Sequence, residues 1–229
     1  FITNLHKMQA ISKNIYYFFH FSCRYKLLPD LQPNQKECNI LLIRGNHECR
    51  PENIYSYEKQ MRWGGQVYVE SEYPNLIFLK DGELFKIEGS QYLVLGGGYS
   101  SDYFSRMLNN EGWWPDEELS KIEWQKIIGR LEEKNQKDLG LLNLIVLSHV
   151  LPKSCAKVFT ERNQTSRTEE KMDEILERFG SFIKAWYAGH YHINEERNMS
   201  ENWKGEVRIF YGNILIQYIV LSGTGINLT

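Results

Sequence analysis

The run Ile40-Leu41-Leu42-Ile43-Arg44-Gly45-Asn46-His47-Glu48 decides how this chain is read. Four apolar residues closed by a turn signal predict a short buried strand. Directly after it come an amide, an imidazole and a carboxylate, side chains that hold metals or move protons. The same pattern returns twice. A strand is predicted over 144–147, followed at once by Ser148-His149, and another over 182–188, ending in Gly189-His190-Tyr191-His192. In sheets covered by helices, ligands bind beyond the carboxyl ends of strands. If these three strands are neighbours, Asn46, His47, His149, His190 and His192 converge. Imidazole and oxygen donors of this kind suit manganese, iron or zinc. Two such ions bind a phosphate, activate a water and stabilise in-line displacement. A single histidine is more often a surface or hydrogen-bonded core residue. The repetition at three strand ends is what singles out this set.

Working outward, the chain mixes strands with helices. Segments 76–79 and 84–87 about Asp81-Gly82 predict a hairpin, because Asp-Gly suits a turn with positive φ at both central positions. A strand over 92–95 runs into Gly96-Gly97-Gly98. A helix is predicted over 116–134, with Pro115 at its entrance. A second, amphipathic helix is predicted over 168–179, with Ser166 and Glu169 as a capping box and Gly180 as its stop. Two further strands are expected within 207–221 about Gly212-Asn213. The aromatic run Ile15-Tyr16-Tyr17-Phe18-Phe19 is too short to span a bilayer and reads as a buried segment. Strands mixed with helices, several of them in hairpins, predict an α/β sandwich rather than a purely parallel sheet.

Bulk composition narrows the function. The 229 residues suit one large domain, or at most two small ones, and a domain of this size needs no disulfides. An apolar share of 42% and a charged share of 24% argue against a disordered chain. A net charge of -2 gives no general attraction for nucleic acid, so none is expected as a partner. No apolar run approaches the roughly 18 residues of a membrane helix, and no secretory signal is evident. Cys23, Cys38, Cys49 and Cys155 lack the spacing of a zinc site, and read as reduced thiols of a cytoplasmic protein.

Residues 39–211 resemble the calcineurin-like metallophosphoesterase superfamily. Arg44 to Glu48 resembles its Gly-Asn-His-Glu block, in the form found in serine/threonine phosphatases. Gly189 to His192 resembles its closing Gly-His-x-His block, and His149 its isolated histidine. The stretch from Gly64-Gly65-Gln66-Val67 through Gly96-Gly97-Gly98 to Gly112-Trp113-Trp114-Pro115 is similar to a bacterial branch. The resemblance implies two mixed sheets flanked by helices (α/β/β/α). It also implies a phosphoric ester hydrolase using a hydroxide activated by two divalent ions. By that resemblance Asn46, His149 and His190 would hold one ion and His192 the other. His47 would not be a ligand; it would stand by the leaving group as general acid or electrostatic stabiliser. Glu48 would be a structural neighbour. Substrates would be phosphomonoesters, as small molecules or phosphoproteins, with phosphodiesters as the alternative.

The chain also departs from that pattern. The family opens with an Asp-x-His block and a Gly-Asp-x-x-Asp block, which supply a histidine, the bridging aspartate and an acid that orients the catalytic histidine. Neither block precedes Asn46, and the only aspartate upstream of it is Asp30. Two expectations follow: a chain whose native start is lost, or a divergent member acting as a scaffold with weak or single-metal binding. Residues 1–38 are accordingly set apart as an atypical segment, 39–221 as the domain and 222–229 as a tail.

Four features outside these blocks carry expectations. Tyr99-Ser100-Ser101-Asp102 is expected to be a plain turn rather than a substrate loop. Of Trp113 and Trp114, one ring is expected in the core and the other at a rim. Arg44 is expected in a structural salt bridge or at the surface. Glu195-Glu196-Arg197 is expected on a solvated face.

Overall fold

A computed structural model of the chain describes residues 15–20, 38–136, 143–161, 166–198, 203 and 205–209. Residues 1–14, 21–37 with Asp30, and 210–229 with the expected Gly212-Asn213 turn lie outside the described residues. Two mixed sheets carry the fold. The first holds β1 (Ile15–His20), β2 (Cys38–Ile43), β3 (Tyr57–Arg62), β4 (Gly65–Glu70) and β5 (Tyr73–Leu79), in the order β1-β2-β5-β4-β3. The second holds β6 (Leu84–Ile87), β7 (Ser90–Leu95), β8 (Leu144–Ser148), β9 (Ile183–Ala188), β10 (Glu195–Asn198) and β11 (Glu206–Ile209), in the order β10-β11-β9-β8-β7-β6. β2 runs parallel to β1 and β5, and β7, β8 and β9 run parallel to one another.

Side-chain alternation explains the layering. In β7, Tyr92 and Val94 face one way and Leu93 and Leu95 the other, as period-two geometry requires. Tyr92 and Val94 join Leu41, Ile43, Val67 and Ile77 of the first sheet in the core between the sheets. Leu93 and Leu95 join a second core formed with helices. Those helices are α2 (Lys121–Gln136), α3 (Lys153–Phe159) and α4 (Arg167–Phe179); a further helix, α1 (Tyr103–Asn109), precedes them. α2 buries Trp124, Ile127 and Leu131 at helical spacing, and α4 buries Met172, Ile175 and Phe179.

The strands over 40–43, 92–95, 144–147 and 182–188 form where expected. So does α4, whose Ser166 hydroxyl and Glu169 carboxylate make the reciprocal capping box. The aromatic run at 15–19 is a strand, ending with His20 opposite Ile43. β10 is exposed along its length, as the charged run there predicts. Several expectations are corrected. The Asp81-Gly82 turn does not close a hairpin, because β5 belongs to one sheet and β6 to the other. Its aspartate is instead a half-buried hub, accepting hydrogen bonds from Arg44 and from the Gly96 backbone. β6 pairs with β7 about Glu88-Gly89, both at positive φ. A further hairpin, between β3 and β4 about Trp63-Gly64, was not expected at all. The helix expected from residue 116 starts at Lys121, where Ser120 and Glu123 exchange backbone bonds. Gly180 does stop α4, as its C-cap, but in a right-handed conformation that opens a single 3-10 turn. Finally, β2 is not a neighbour of β8 and β9, since it lies in the other sheet.

Candidate metal centre

The donors meet because the two sheets stack, not because their strands adjoin. Loops after β2, β7, β8 and β9 project from one edge of the sandwich. On that edge Asn46 Oδ1 lies 2.7 Å from His149 Nε2, and His149 Nε2 lies 3.1 Å from His190 Nδ1. Asn46 and His149 form the buried floor, at 3% and 1% exposure. His190 and His47 are half-buried above them, and His192 is exposed at the rim. His47 joins through Nε2, 3.4 Å from Asn46 Nδ2. Its pKa is lowered, first by burial, then by Arg106, with Asp102 opposing and His192 adding to the effect. His47 is therefore neutral at neutral pH.

Each side chain is held by local structure. His190 and His192 both sit in the left-handed region, at φ 67 and 59. For non-glycine residues this costs of order 1 kcal/mol each and is kept only where the surroundings enforce it. Here the Gly189 N–H donates to His149 O at 3.1 Å, and the buried Tyr191 hydroxyl accepts the Leu151 N–H at 2.9 Å. On the β2 side Arg44 is 1% exposed. Its Nε donates to Asp81 Oδ2 at 2.9 Å and its Nη1 to Glu117 O at 3.1 Å. The glycine run is explained by this packing: at Gly97 (φ +77) a Cβ would come within 2.3 Å of the Arg44 guanidinium and 2.2 Å of Glu117 O. Arg50 anchors the far end of the loop, donating to Glu123 Oε1 at 2.5 Å and to the carbonyls of Asp116 and Glu118.

Two residues missed by sequence reading complete the centre. Ser100, expected in a plain turn, is 1% exposed and accepts the Asn46 amide N–H at 2.9 Å. Behind it, buried Glu117 accepts the Ser100 backbone N–H at 3.0 Å. The only local signal was the serine following the glycine run. The tryptophan expectation is also corrected: Trp113 and Trp114 are both half-buried.

Glu48 is a structural neighbour with a consequence for stability. Its Oε2 accepts the Gly45 N–H at 2.6 Å, while its other oxygen is buried without a partner. Burial pushes its pKa up from 4.5 to about 8, against the Gly45 bond and Arg44. The folded state thus keeps a proton that the unfolded state releases. Stability from this group is full below pH 4.5 and is lost as pH rises through about 8. The slope in that window is at most about 1.4 kcal/mol per pH unit. Urea unfolding of wild type and Glu48→Gln across pH 5 to 8 measures it. The variant, which cannot ionise, is expected to show the flatter profile; parallel profiles contradict the assignment.

The donor set fits a divalent ion in shape. Adjacent ligand atoms about an ion with bonds of about 2.1 Å stand roughly 3 to 3.4 Å apart, near the 2.7 and 3.1 Å separations of the two pairs here. In charge the fit is weaker. Among the described residues no three His, Cys, Asp or Glu side chains gather as a metal-holding group, so the third donor is the neutral Asn46 amide.

Stacked mixed sheets flanked by helices, with these donors at one edge, define a metallophosphoesterase-type sandwich. The family model for calcineurin-like phosphoesterases matches residues 11–194, and the chain belongs to that family. It is a family of metal-dependent phosphoester hydrolases, which bind divalent metals and act on phosphorylated substrates. No curated protein and no solved structure matches the chain. Among the described residues no helix is long and apolar enough to cross a membrane.

Proposed function

We propose that the chain is a phosphomonoesterase of small molecules or phosphoproteins. Asn46, His149 and His190 hold one divalent ion, manganese, iron or zinc. His192 serves a second ion, and His47 assists the leaving group. The observation that carries this reading is the approach of Asn46 Oδ1, His149 Nε2 and His190 Nδ1 to 2.7 and 3.1 Å at the carboxyl ends of strands from both sheets. When bound, the ions supply charge to offset the phosphoryl oxygens and acidify water. The protein's own part is positional. The buried Asn46 and His149 fix the floor, and the exposed rim at His192 admits substrate. His47 would give a proton to the leaving oxygen from its imidazolium form, which burial makes the minor form near pH 7. Cys49 and Cys155 are free thiols, which suits a reducing, cytoplasmic setting.

The neutral donor set favours a second reading, a scaffold that holds one ion weakly or none. Metal content after equilibration with manganese separates the two, together with p-nitrophenyl phosphate hydrolysis. The enzyme reading expects bound ions and turnover in wild type. In His149→Ala it expects metal affinity to fall more than about 100-fold, beyond what loss of an outer-shell partner costs. A folded wild type that binds no ion and hydrolyses no ester leaves the scaffold reading standing.

A further inference from the structure

We propose that the aromatic rings carried beside His47 by the segment 99–113 form a platform that selects phosphomonoesters of an uncharged, aromatic alcohol. The inference rests on the proposed function, in which His47 faces the leaving oxygen. The segment clasps His47 with two arms. On one, Ser100 Oγ lies 3.4 Å from His47 Nδ1. On the other, a Cβ at Gly112 would stand 3.5 Å from the His47 carbonyl oxygen. Tyr99 and Trp113 adjoin these two contacts in the sequence. Tyr103 bridges the arms, its ring centroid 6.0 Å from that of Tyr99 and 5.8 Å from that of Trp113. Phe104 extends the group, edge-on to Tyr103 at 6.5 Å.

The rings are not there to fill a core. α1, which carries Tyr103 and Phe104, buries none of its residues. Its apolar side chains Tyr103, Phe104, Met107 and Leu108 fall on one face by helical spacing, and all are exposed, Phe104 at 59% and Leu108 at 67%. The opposite face holds the helix in place. Arg106 Nε donates to Asp102 Oδ2 at 2.7 Å, and Arg106 Nη1 donates to Glu111 O at 3.1 Å, which ties the two arms together. A contiguous exposed apolar patch on a fixed element marks a binding surface, and this one adjoins the leaving-group side of the centre. Charge narrows what it takes. Residues 99–113, all described, hold two acids, Asp102 and Glu111, and one cation, Arg106. That cation is already paired with Asp102, so a second anionic group on the substrate would meet net negative charge. An uncharged aromatic ring instead finds partners for edge-to-face or offset contact. In the hydrolysis, water oxygen bonds to phosphorus and the bond from phosphorus to the alcohol oxygen breaks. The alcohol departs with a proton, and that alcohol is the part the platform holds.

The test compares naphthylethyl phosphate with ethyl phosphate, esters of alcohols of similar acidity, in the full chain with manganese. Wild-type kcat/KM is expected to favour the naphthyl ester by about 10- to 100-fold, the range for burying an aromatic ring. Tyr103→Ser and Phe104→Ser are each expected to cut that ratio by about fivefold or more, through lost ring contact. Met61→Ser, which removes a comparably exposed apolar side chain on β3, is expected to keep the wild-type ratio. A wild type with no preference between the esters overturns the platform, and so does a preference that survives both serine variants. If Tyr103→Ser does not fold, Phe104→Ser decides alone. A dimer or vesicle binding that Phe104→Ser abolishes, with the ester ratio unchanged, gives the face to a second copy or a membrane and also overturns the proposal. A wild type that hydrolyses neither these esters nor p-nitrophenyl phosphate refutes the proposed function. The platform is then decided without metal, by NMR of the Trp113 indole N–H during titration with naphthylethanol, with Trp113→Phe identifying the signal. A saturable shift that is lost in Phe104→Ser or Tyr103→Ser supports the platform; no shift overturns it.

Discussion

His47→Ala is expected to lower kcat for phosphomonoester hydrolysis by about 10²–10⁴-fold, the usual range for a positioned proton donor or acceptor. A group that acts on the leaving oxygen works in the transition state, so kcat and kcat/KM are expected to fall together. His47 is half-buried at the rim side of the centre, and its ring contacts there are Asn46 and Ser100 at 3.4 Å. The fold is therefore expected to survive the change. The leaving group provides the sharper measurement. p-Nitrophenolate departs with little need of a proton, whereas an alkoxide needs one. The loss is expected to be smaller with p-nitrophenyl phosphate than with an alkyl phosphate. Equal losses on the two substrates would remove the proton-transfer role and leave His47 as a binding residue.

The other large effect falls on stability. Arg44→Ala is expected to cost about 3–5 kcal/mol, as breaking a buried ion pair by removing one partner does. Total stability for a domain is only about 5–15 kcal/mol, so the variant should sit near its folding threshold. Arg44 is 1% exposed, and its partner Asp81 is 11% exposed. Without the guanidinium, Asp81 keeps only the Gly96 N–H, and the Glu117 carbonyl keeps only the Gly98 N–H at 3.3 Å. Arg44→Lys is expected to recover little, because a lysine lacks the planar fork that reaches both partners. Urea unfolding gives the number from the midpoint and slope. A loss below about 1 kcal/mol would show that the loop is held by other contacts, with Arg50 the first to examine.

These two residues are adjacent to the same strand, yet they were not equally legible. His47 follows Asn46 and stands immediately after a buried apolar run, so its exposure at a strand end was read from local order. Arg44 was expected either in a salt bridge or at the surface. Nothing near it in the sequence names Asp81, which lies 37 residues on. The misplaced hairpin at Asp81-Gly82 has the same origin. Turn chemistry says that the backbone reverses there, but not whether the next strand pairs back or crosses to another sheet. Here β6 finds β7, and the crossing leaves Asp81 hydrogen-bonded to Arg44 and Gly96.

The sequence by itself determined the strand periods, the capping box of α4 and the placing of Asn46, His47, His149 and His190 directly after buried runs. Those depend on residues a few positions apart, where alternation and capping are fixed by backbone geometry. Only the tertiary structure decided that β2 stands in one sheet and β8 and β9 in the other, that their ends nevertheless meet, and that Ser100 and Glu117 stand behind the centre. Sheet membership depends on which distant edges pair, and a buried hydroxyl or carboxyl finds its partner only after the apolar faces between the sheets have closed.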